Sequence, residues 1–449
     1  MNRLLPTIGP ITASEKNLRK ILKISNLVRL NGAHNDLIWH KKISYRIKKI
    51  NSNAKILLDL PGVKPRTNNK KVCNIKKNQK IIFFYKKCKQ KNITKIEITA
   101  PIPKIYKKIN YLSVSDGNYP FKIIKLNKNY IIAKSLENFD LMPKKGVNIP
   151  NSIYSEKIQR KKYINFLKKA KNIKFDAVGL SYVQTPKIVN EIKRYKDVVI
   201  VSKIENIEGL NNINEISKVS DVIMVDRGDL AAEIGEHKLF SAINSISNVT
   251  KNNGKSLIIA TENLESMIFR KNSKNPTKSE IISLGYAKSL RADRIMLSDE
   301  TATSPNWKNI INWLDRFLKT KDSVKLKTNI VKAEIFWNVV QGIEGIPIII
   351  FSRKGYAIDK IRQINDNTNL TVFTDSIKTK SLCEFKANTF CCLIKRFAKN
   401  KNSSFIYNTI KKYKKKIFKK QNIAALIYIS YPRKNSRANT LSLISKKDF

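Results

Sequence analysis

The sequence predicts an α/β fold: a (β/α)8 TIM barrel carrying an inserted all-β domain, followed by a C-terminal α/β domain. Three observations carry this reading. Short apolar runs alternate with amphipathic stretches over residues 1–66 and again over 148–322, the rhythm of a parallel sheet covered by helices. The intervening 67–147 contains short β-branched strands broken by turns ("IIFFYKK", "KIEIT", "NYIIAKS") and no convincing helix. Residues 323–449 then start a separate α/β pattern ("IPIIIFSRKG", "NLTVFTD", "AALIYISYP").

In the first barrel part, "LLPTIGP", "NLVRLN" and "AKILLDLPG" read as strands, with "EKNLRKILKI" and "WHKKISYRIKKI" as helices between them. In the second part the strands are "DAVGLSYV", "VVIVSKIE", "DVIMVDRGD", "SLIIATE" and "RIMLSDET", separated by amphipathic segments such as "TKSEIISLGYAKSLR". Together these make eight strands, the number that closes such a barrel. A chain of 449 residues exceeds one core, and its 42% apolar content supplies enough surface for several.

Composition bounds the function classes. No apolar run reaches 18 residues, so no membrane span is expected, and the first residues lack a signal-peptide core, so the chain reads as a mature protein. Cys73, Cys88, Cys383, Cys391 and Cys392 lack metal-type spacing and read as core thiols of a reducing compartment, the cytoplasm. The formal charge of +54 is spread along the chain and accompanied by inflated Asn and Ile, which is compositional drift rather than a dedicated nucleic-acid surface. What the charge does favour is attraction of small anions, phosphorylated substrates included.

Functional residues of such barrels sit at the carboxyl ends of strands. Lys203, Glu205, Asp229, Arg29, Asn31, Asp59, Thr261 and Glu300 all fall there, and no folding rule requires polar groups at those ends. Glu205 and Asp229 are hard oxygen ligands suited to Mg2+ or Mn2+. Lys203 precedes Glu205 by two residues and shares its side of the strand. With Arg29 across the mouth, an ammonium beside a divalent ion can neutralise a phosphoryl group in transfer. Gly228 opens a helix whose free N–H groups can receive a carboxylate or phosphate. The set fits phosphoryl transfer or enolate stabilisation.

These strings, taken in order, resemble the pyruvate kinase family over essentially the whole chain. "TIGP" is similar to its opening, "NLVRLNGAH" to its second strand end, and "LLDLPGVKPRT" to the hinge into its β-domain lid. "SVSDGNYPFKI", "KGVNIP", "KIENIEGLNNINEI", "IMVDRGDLAAEIG", "ATENLESM", "NPTKSE", "RIMLSDETA" and the closing "IYISYPRKNSRANTLSLIS" follow in family order. The resemblance implies phosphoenolpyruvate and ADP as partners, pyruvate and ATP as products, a cytoplasmic glycolytic enzyme and a homotetramer. It implies Lys203 as the electrostatic group on the phosphoryl, and Glu205 and Asp229 as metal ligands. Arg29 becomes the phosphate clamp, Gly228, Asp229 and Thr261 substrate contacts, and Thr261 the group beside the protonated methylene. Asn31, His34 and Arg66 face the nucleotide side.

The chain also departs from the family. Ala33 replaces a serine of the K+ site, and Lys64 stands where K+-independent members carry lysine, so activity without K+ is expected. Asp226 replaces a small residue at the loop that receives the substrate carboxylate. Ala231, Asn263, Gly32, Asn35 and Asp299 are further changes beside the cleft. A paralogue with an altered substrate and a catalytically degenerate basic scaffold are the alternatives. The intact set Lys203, Glu205, Asp229, Arg29 and Thr261 argues against the scaffold, because buried charges without a ligand are costly to keep. The "SRKGYAIDKIRQI" segment reads as a linker and helix start, with anion binding as the less favoured alternative.

Overall fold

A computed structural model describes residues 3–86, 88, 93–105, 109–115, 117–269, 274–320, 335–343, 345–395, 403–419, 421–428 and 440–449. Eight parallel strands form the barrel: β1 Leu4–Pro6, β2 Leu27–Asn31, β3 Lys55–Leu60, β4 Ala177–Leu180, β5 Val199–Ile204, β6 Val222–Asp226, β7 Ser256–Ala260 and β8 Arg294–Leu297. The strands neighbour one another in chain order, and β8 returns to β1 with Leu4 opposite Ile295. Closure between β1 and β2 runs through a parallel bridge from Thr7 to Arg29, where the Ile8 N–H donates to the Arg29 carbonyl at 2.9 Å.

These strands read as near-continuous apolar runs because both faces are covered. Leu5, Leu27, Leu57, Val199, Val201, Met224, Ile258 and Met296 fill the barrel interior, while alternate residues such as Leu58, Ile200, Ile223 and Ile259 pack against the helices. The helices begin at side-chain caps: Ser14 accepts from Asn17 N–H, Asp36 accepts from Trp39 N–H, and Thr277 with Glu280 forms a capping box. Among the described residues no helix is long and apolar enough to cross a membrane.

Between β3 and β4 the chain forms a six-stranded sheet around Ile81, Phe83, Leu112, Phe121 and Ile131, with only short strands and no helix among its described residues. Its root is narrow. Arg66 bridges Gly146, and Val147 N–H donates to the Pro65 carbonyl at 2.8 Å. After the barrel, a five-stranded sheet is parallel except for its last strand, Thr440–Ser445. There "SRKG" is a helix start, with Gly355 at φ +87° before Tyr356–Ile364. Residue Asp116 of the "SVSDGNYPFKI" motif, the expected boundary at 322–323 and residues 429–439 of the closing motif lie outside the described residues. None of the five cysteines is disulfide-bonded.

The C-terminal unit seals the amino-terminal end of the barrel. Phe385 is fully buried and packs in the same core as Leu5, Leu27, Leu57, Ala177 and Val222. Around it, Asp293 accepts from Lys251 at 2.7 Å and from Ala387 N–H at 3.0 Å, and Lys386 Nζ lies 2.9 Å from Asp359 and donates to the Gly254 carbonyl at 3.1 Å. The opposite end, where the strands' carboxyl termini emerge, is left for other residues.

Candidate active site

At that carboxyl end, five strands deliver charge to one place. Lys203, near the end of β5, is 5% exposed and sits 2.7 Å from Glu205 Oε1, 3.4 Å from Asp59 Oδ2 and 3.4 Å from Asp226 Oδ2. Burial alone would lower the Lys203 pKa, but Asp59, Glu205 and Asp226 more than offset it and hold the ammonium well above its ordinary range. Arg29 completes the ring. Its Nε donates to Asp59 at 2.9 Å and its Nη1 to Thr7 Oγ1 at 3.0 Å and Asp299 at 3.3 Å. Asp59 reaches this position because β4 carries glycine beside it: a Cβ on Gly179 would lie 2.7 Å from Asp59 Oδ1. Asp59 is held below the usual carboxylate range, since Lys203 and Arg29 outweigh its burial.

Glu205, Asp226 and Asp229 bring carboxylate oxygens within 4.8 Å of one another. Hard oxygen donors at this spacing fit a Mg2+ or Mn2+ that retains several waters. Glu205 Oε2 also accepts from Tyr182 N–H at 2.5 Å, and Lys64 Nζ donates to Asp229 Oδ1 at 2.5 Å. Burial, together with Asp226 and Asp229, pushes the Glu205 carboxyl up to about 8 against the pull of Lys203, the response of a cluster with more negative than positive groups. Asp229 is shifted the other way, because the Lys64 ammonium outweighs its burial.

Some of the backbone strain lies in the same place. Tyr182 after β4 has φ +59°, and Thr261, Glu262 and Leu264 after β7 have φ +59°, +50° and +63°. Non-glycine residues held left-handed cost roughly 1–3 kcal/mol each and persist where surrounding bonds fix them. Here the fixing bonds are visible. Arg227 donates to the Ala260 carbonyl at 3.3 Å, to Asn263 Oδ1 at 2.9 Å, to the Thr261 carbonyl, and to Ser283 Oγ at 2.7 Å. Thr261 Oγ1 accepts from the N–H groups of Arg227 at 2.9 Å and Gly228 at 3.2 Å, at the start of the helix Arg227–Ile234.

Of the residues expected from the sequence, Lys203, Glu205, Asp229, Arg29, Asn31, Asp59, Thr261 and Gly228 assemble on this rim. Asn31 joins through a 2.6 Å bond to Asp299. Two do not join by a described contact. His34 is exposed and engages His40 through its carbonyl, and Arg66 is exposed and donates to the Lys144 carbonyl at the root of the inserted sheet. Glu300, on the short helix Asp299–Thr303, makes no hydrogen bond to the rim among the described residues, but burial and Asp299 raise its carboxyl pKa against the pull of Arg29. The sequence reading singled out Asp226 but left its direction open, and it missed that Asp299 pairs with Arg29 and that Lys64 ion-pairs with Asp229. The "VDRGD" spacing gave one available signal, since two acids flank the helix start.

A further buried carboxyl lies behind the cluster. Glu233 is 1% exposed and accepts from the Tyr154 hydroxyl at 3.1 Å, and burial pushes its pKa from 4.5 up to about 8. A carboxyl raised in this way makes stability fall as pH climbs from the unfolded value to the folded one, and leaves it flat above. Glu233→Gln keeps the acceptor for Tyr154. The variant should therefore match the wild type near pH 4.5 and melt higher by several degrees at pH 8–9, as followed by circular dichroism. Equal melting temperatures at both pH values would contradict it.

Comparison with known proteins agrees with this geometry. A family model described as the pyruvate kinase barrel domain matches residues 2–307. The pyruvate kinase of Clostridium perfringens is 32% identical over 317 residues, covering 67% of this chain and 66% of that protein. That of Dictyostelium discoideum is 30% identical over 324 residues, covering 67% and 62% respectively. The alignment thus spans just under two thirds of the length of both. The Thermotoga maritima pyruvate kinase aligns over 400 residues at 25% identity, covering 84% of this chain and 85% of that protein. With all eight barrel strands inside the matched span and their ends carrying the cluster just described, the chain belongs to the pyruvate kinase family.

Proposed function

We propose that the chain transfers the phosphoryl group of phosphoenolpyruvate to ADP, giving pyruvate and ATP. The observation that carries this reading is the Lys203 ammonium packed 2.7 Å from Glu205, beside three carboxylates able to hold a divalent ion, with Arg29 on the shared Asp59. Glu205 and Asp229, with Asp226 adjacent, would hold Mg2+ or Mn2+. A bound divalent ion supplies charge neutralisation at the phosphoryl and enolate oxygens.

The protein's own groups do the rest. Lys203 and Arg29 are pre-oriented by fixed carboxylates, so they meet charge developing on the transferring phosphoryl without reorganising. The P–O bond to the enol oxygen breaks as the bond to the ADP β-phosphate oxygen forms. The released enolate then takes a proton at its methylene carbon, beside the Thr261 hydroxyl. Asn31, His34 and Arg66 lie towards the nucleotide side, and the inserted sheet closes over the mouth to exclude water. A coupled assay with phosphoenolpyruvate, ADP and Mg2+ tests the reading. Turnover that Glu205→Gln removes supports it, and no turnover from folded protein over a wide donor range rejects it.

Lys64 has a separate consequence. Its ammonium lies 2.5 Å from Asp229, a fixed monovalent cation inside the cleft, and Ala33 offers no hydroxyl to ligate a mobile one. We expect less than twofold change in rate when KCl replaces choline chloride at equal ionic strength. A severalfold rise with KCl would contradict this.

A further inference from the structure

The turn between β2 and the helix Leu37–Ile50 carries exposed side chains from Ala33 to Asp36, so its course is set by what its backbone meets. Its start is fastened to the rim. Gly32 N–H donates to the Asp59 carbonyl at 2.8 Å, and Ala33 N–H donates to Asn31 Oδ1 at 3.0 Å. A Cβ on Gly32 would lie 2.7 Å from the Phe166 ring, so the chain could not sit this close with any other residue there. At the far end, Asp36 accepts from Trp39 N–H at 2.7 Å, which caps the helix but leaves the turn itself unheld. That task falls to a buried side chain. His40 is 1% exposed, and its Nε2 lies 2.9 Å from the His34 carbonyl oxygen. A carbonyl only accepts, so Nε2 carries the proton and donates. His40 Nδ1 is buried without a hydrogen-bond partner among the described residues, so a second proton would find no acceptor there. Burial accordingly lowers the His40 pKa against the pull of the His34 carbonyl and Asp36, and the ring is kept as a neutral single donor.

We infer that His40 is a positioning residue for the nucleotide: by holding the His34 carbonyl it fixes the turn 32–36, and with it the direction in which His34 meets ADP. His40 itself touches no substrate. This rests on the phosphotransferase reading above and deepens it on the nucleotide side. The effect is selective. Lys203, Glu205 and Asp229 are held to one another and to Lys64 and Tyr182 by bonds in which the turn takes no part. Loosening the turn therefore weakens recognition of ADP and leaves the phosphoryl donor's side of the site as it is.

The experiment uses the full chain with Mg2+, and compares wild type with His40→Leu and His40→Gln. Leucine fills much of the ring's volume without a donor, whereas the glutamine amide can place an N–H where the ring Nε2 stands. Circular dichroism verifies that both variants fold. Steady-state KM is measured separately for ADP and phosphoenolpyruvate, and amide hydrogen exchange of the segment 32–36 is followed without substrate. His40→Leu should raise the KM for ADP at least about fivefold, the scale of one lost hydrogen bond, with kcat and the phosphoenolpyruvate KM within about twofold. Exchange in the turn should quicken in the same variant. His40→Gln should recover most of both effects. An unchanged ADP KM in His40→Leu, or exchange that does not respond, would overturn the inference. Parallel rises in both KM values, or equal losses in the leucine and glutamine variants, would also overturn it, making His40 a packing residue only. If the wild type shows no turnover, the phosphotransferase reading fails and the nucleotide role fails with it, whatever the exchange shows.

Discussion

Lys203→Met should lower kcat by at least about 10³-fold while changing the donor KM by only a few fold, the pattern of an interaction made chiefly in the transition state. The reason is positional. The Lys203 ammonium is held by Glu205 at 2.7 Å and by Asp59 and Asp226 at 3.4 Å, so its direction is set before any ligand arrives. Methionine has similar length and fills the volume without the charge. The substitution also leaves Asp59, Glu205 and Asp226 buried without their common cation, and removing one partner of a buried ion pair costs roughly 3–5 kcal/mol. The melting temperature should therefore fall, and added Mg2+ should recover part of the loss, because the carboxylates then regain a counter-charge. Steady-state kinetics with thermal melts at zero and millimolar Mg2+ check both halves. A variant that retains a tenth of wild-type kcat would show that Lys203 is structural rather than catalytic.

Lys203 was legible in the sequence for a physical reason. A lysine and a glutamate two apart at the end of an apolar strand share one face, and neither helps the strand to fold. The same logic located Arg29, Asp59 and Asp229. It could not supply the direction of Asp226, which closes β6 at the point where the chain leaves the sheet and enters a helix. At such a junction the two-residue alternation ends, and only the contacts with Lys203 and Thr261 settle which way the side chain turns. Lys64 and Asp299 escaped for a different reason. Their partners, Asp229 and Arg29, are 165 and 270 residues away, and pairing at that range is set by barrel closure rather than by local pattern. Glu300 follows Asp299 on the short helix Asp299–Thr303, where Asp299 makes the direct contact with Arg29 and Glu300 acts on the rim through its charge.

The fold was more legible than the site because apolar period and turn chemistry are local signals. Eight runs, an interruption without helices and a resumed rhythm sufficed for the barrel and its insertion. What no run announced was the plug at the barrel's closed end. "CEFKANTF" reads as an ordinary loop before a strand, but its phenylalanine belongs to the barrel core.

Phe385→Ala is expected to destabilise the junction between barrel and C-terminal unit by about 3–5 kcal/mol, the range for truncating a fully buried aromatic. Phe385 belongs to one buried cluster with Leu5, Leu27, Leu57, Met224 and Met296, residues contributed by five different barrel strands, so the strands around the resulting cavity are fixed by one another and close it poorly. The flanking polar contacts do not replace it. Lys386 and Ala387 meet Gly254 and Asp293 only while the loop is seated, and Lys386 left buried without those partners would be unfavourable. Chemical denaturation should therefore change shape as well as midpoint, with the single transition splitting as the C-terminal unit releases first. Phe385→Leu, which retains most of the volume, should lose much less and keep one transition. Activity separates this from damage to the catalytic end. Phe385 lies at the opposite mouth of the barrel from Lys203, so under native conditions the alanine variant should keep its KM for both substrates while inactivating at lower temperature. A wild-type denaturation profile for Phe385→Ala would mean that the ion pairs around Asp293 hold the junction without the plug.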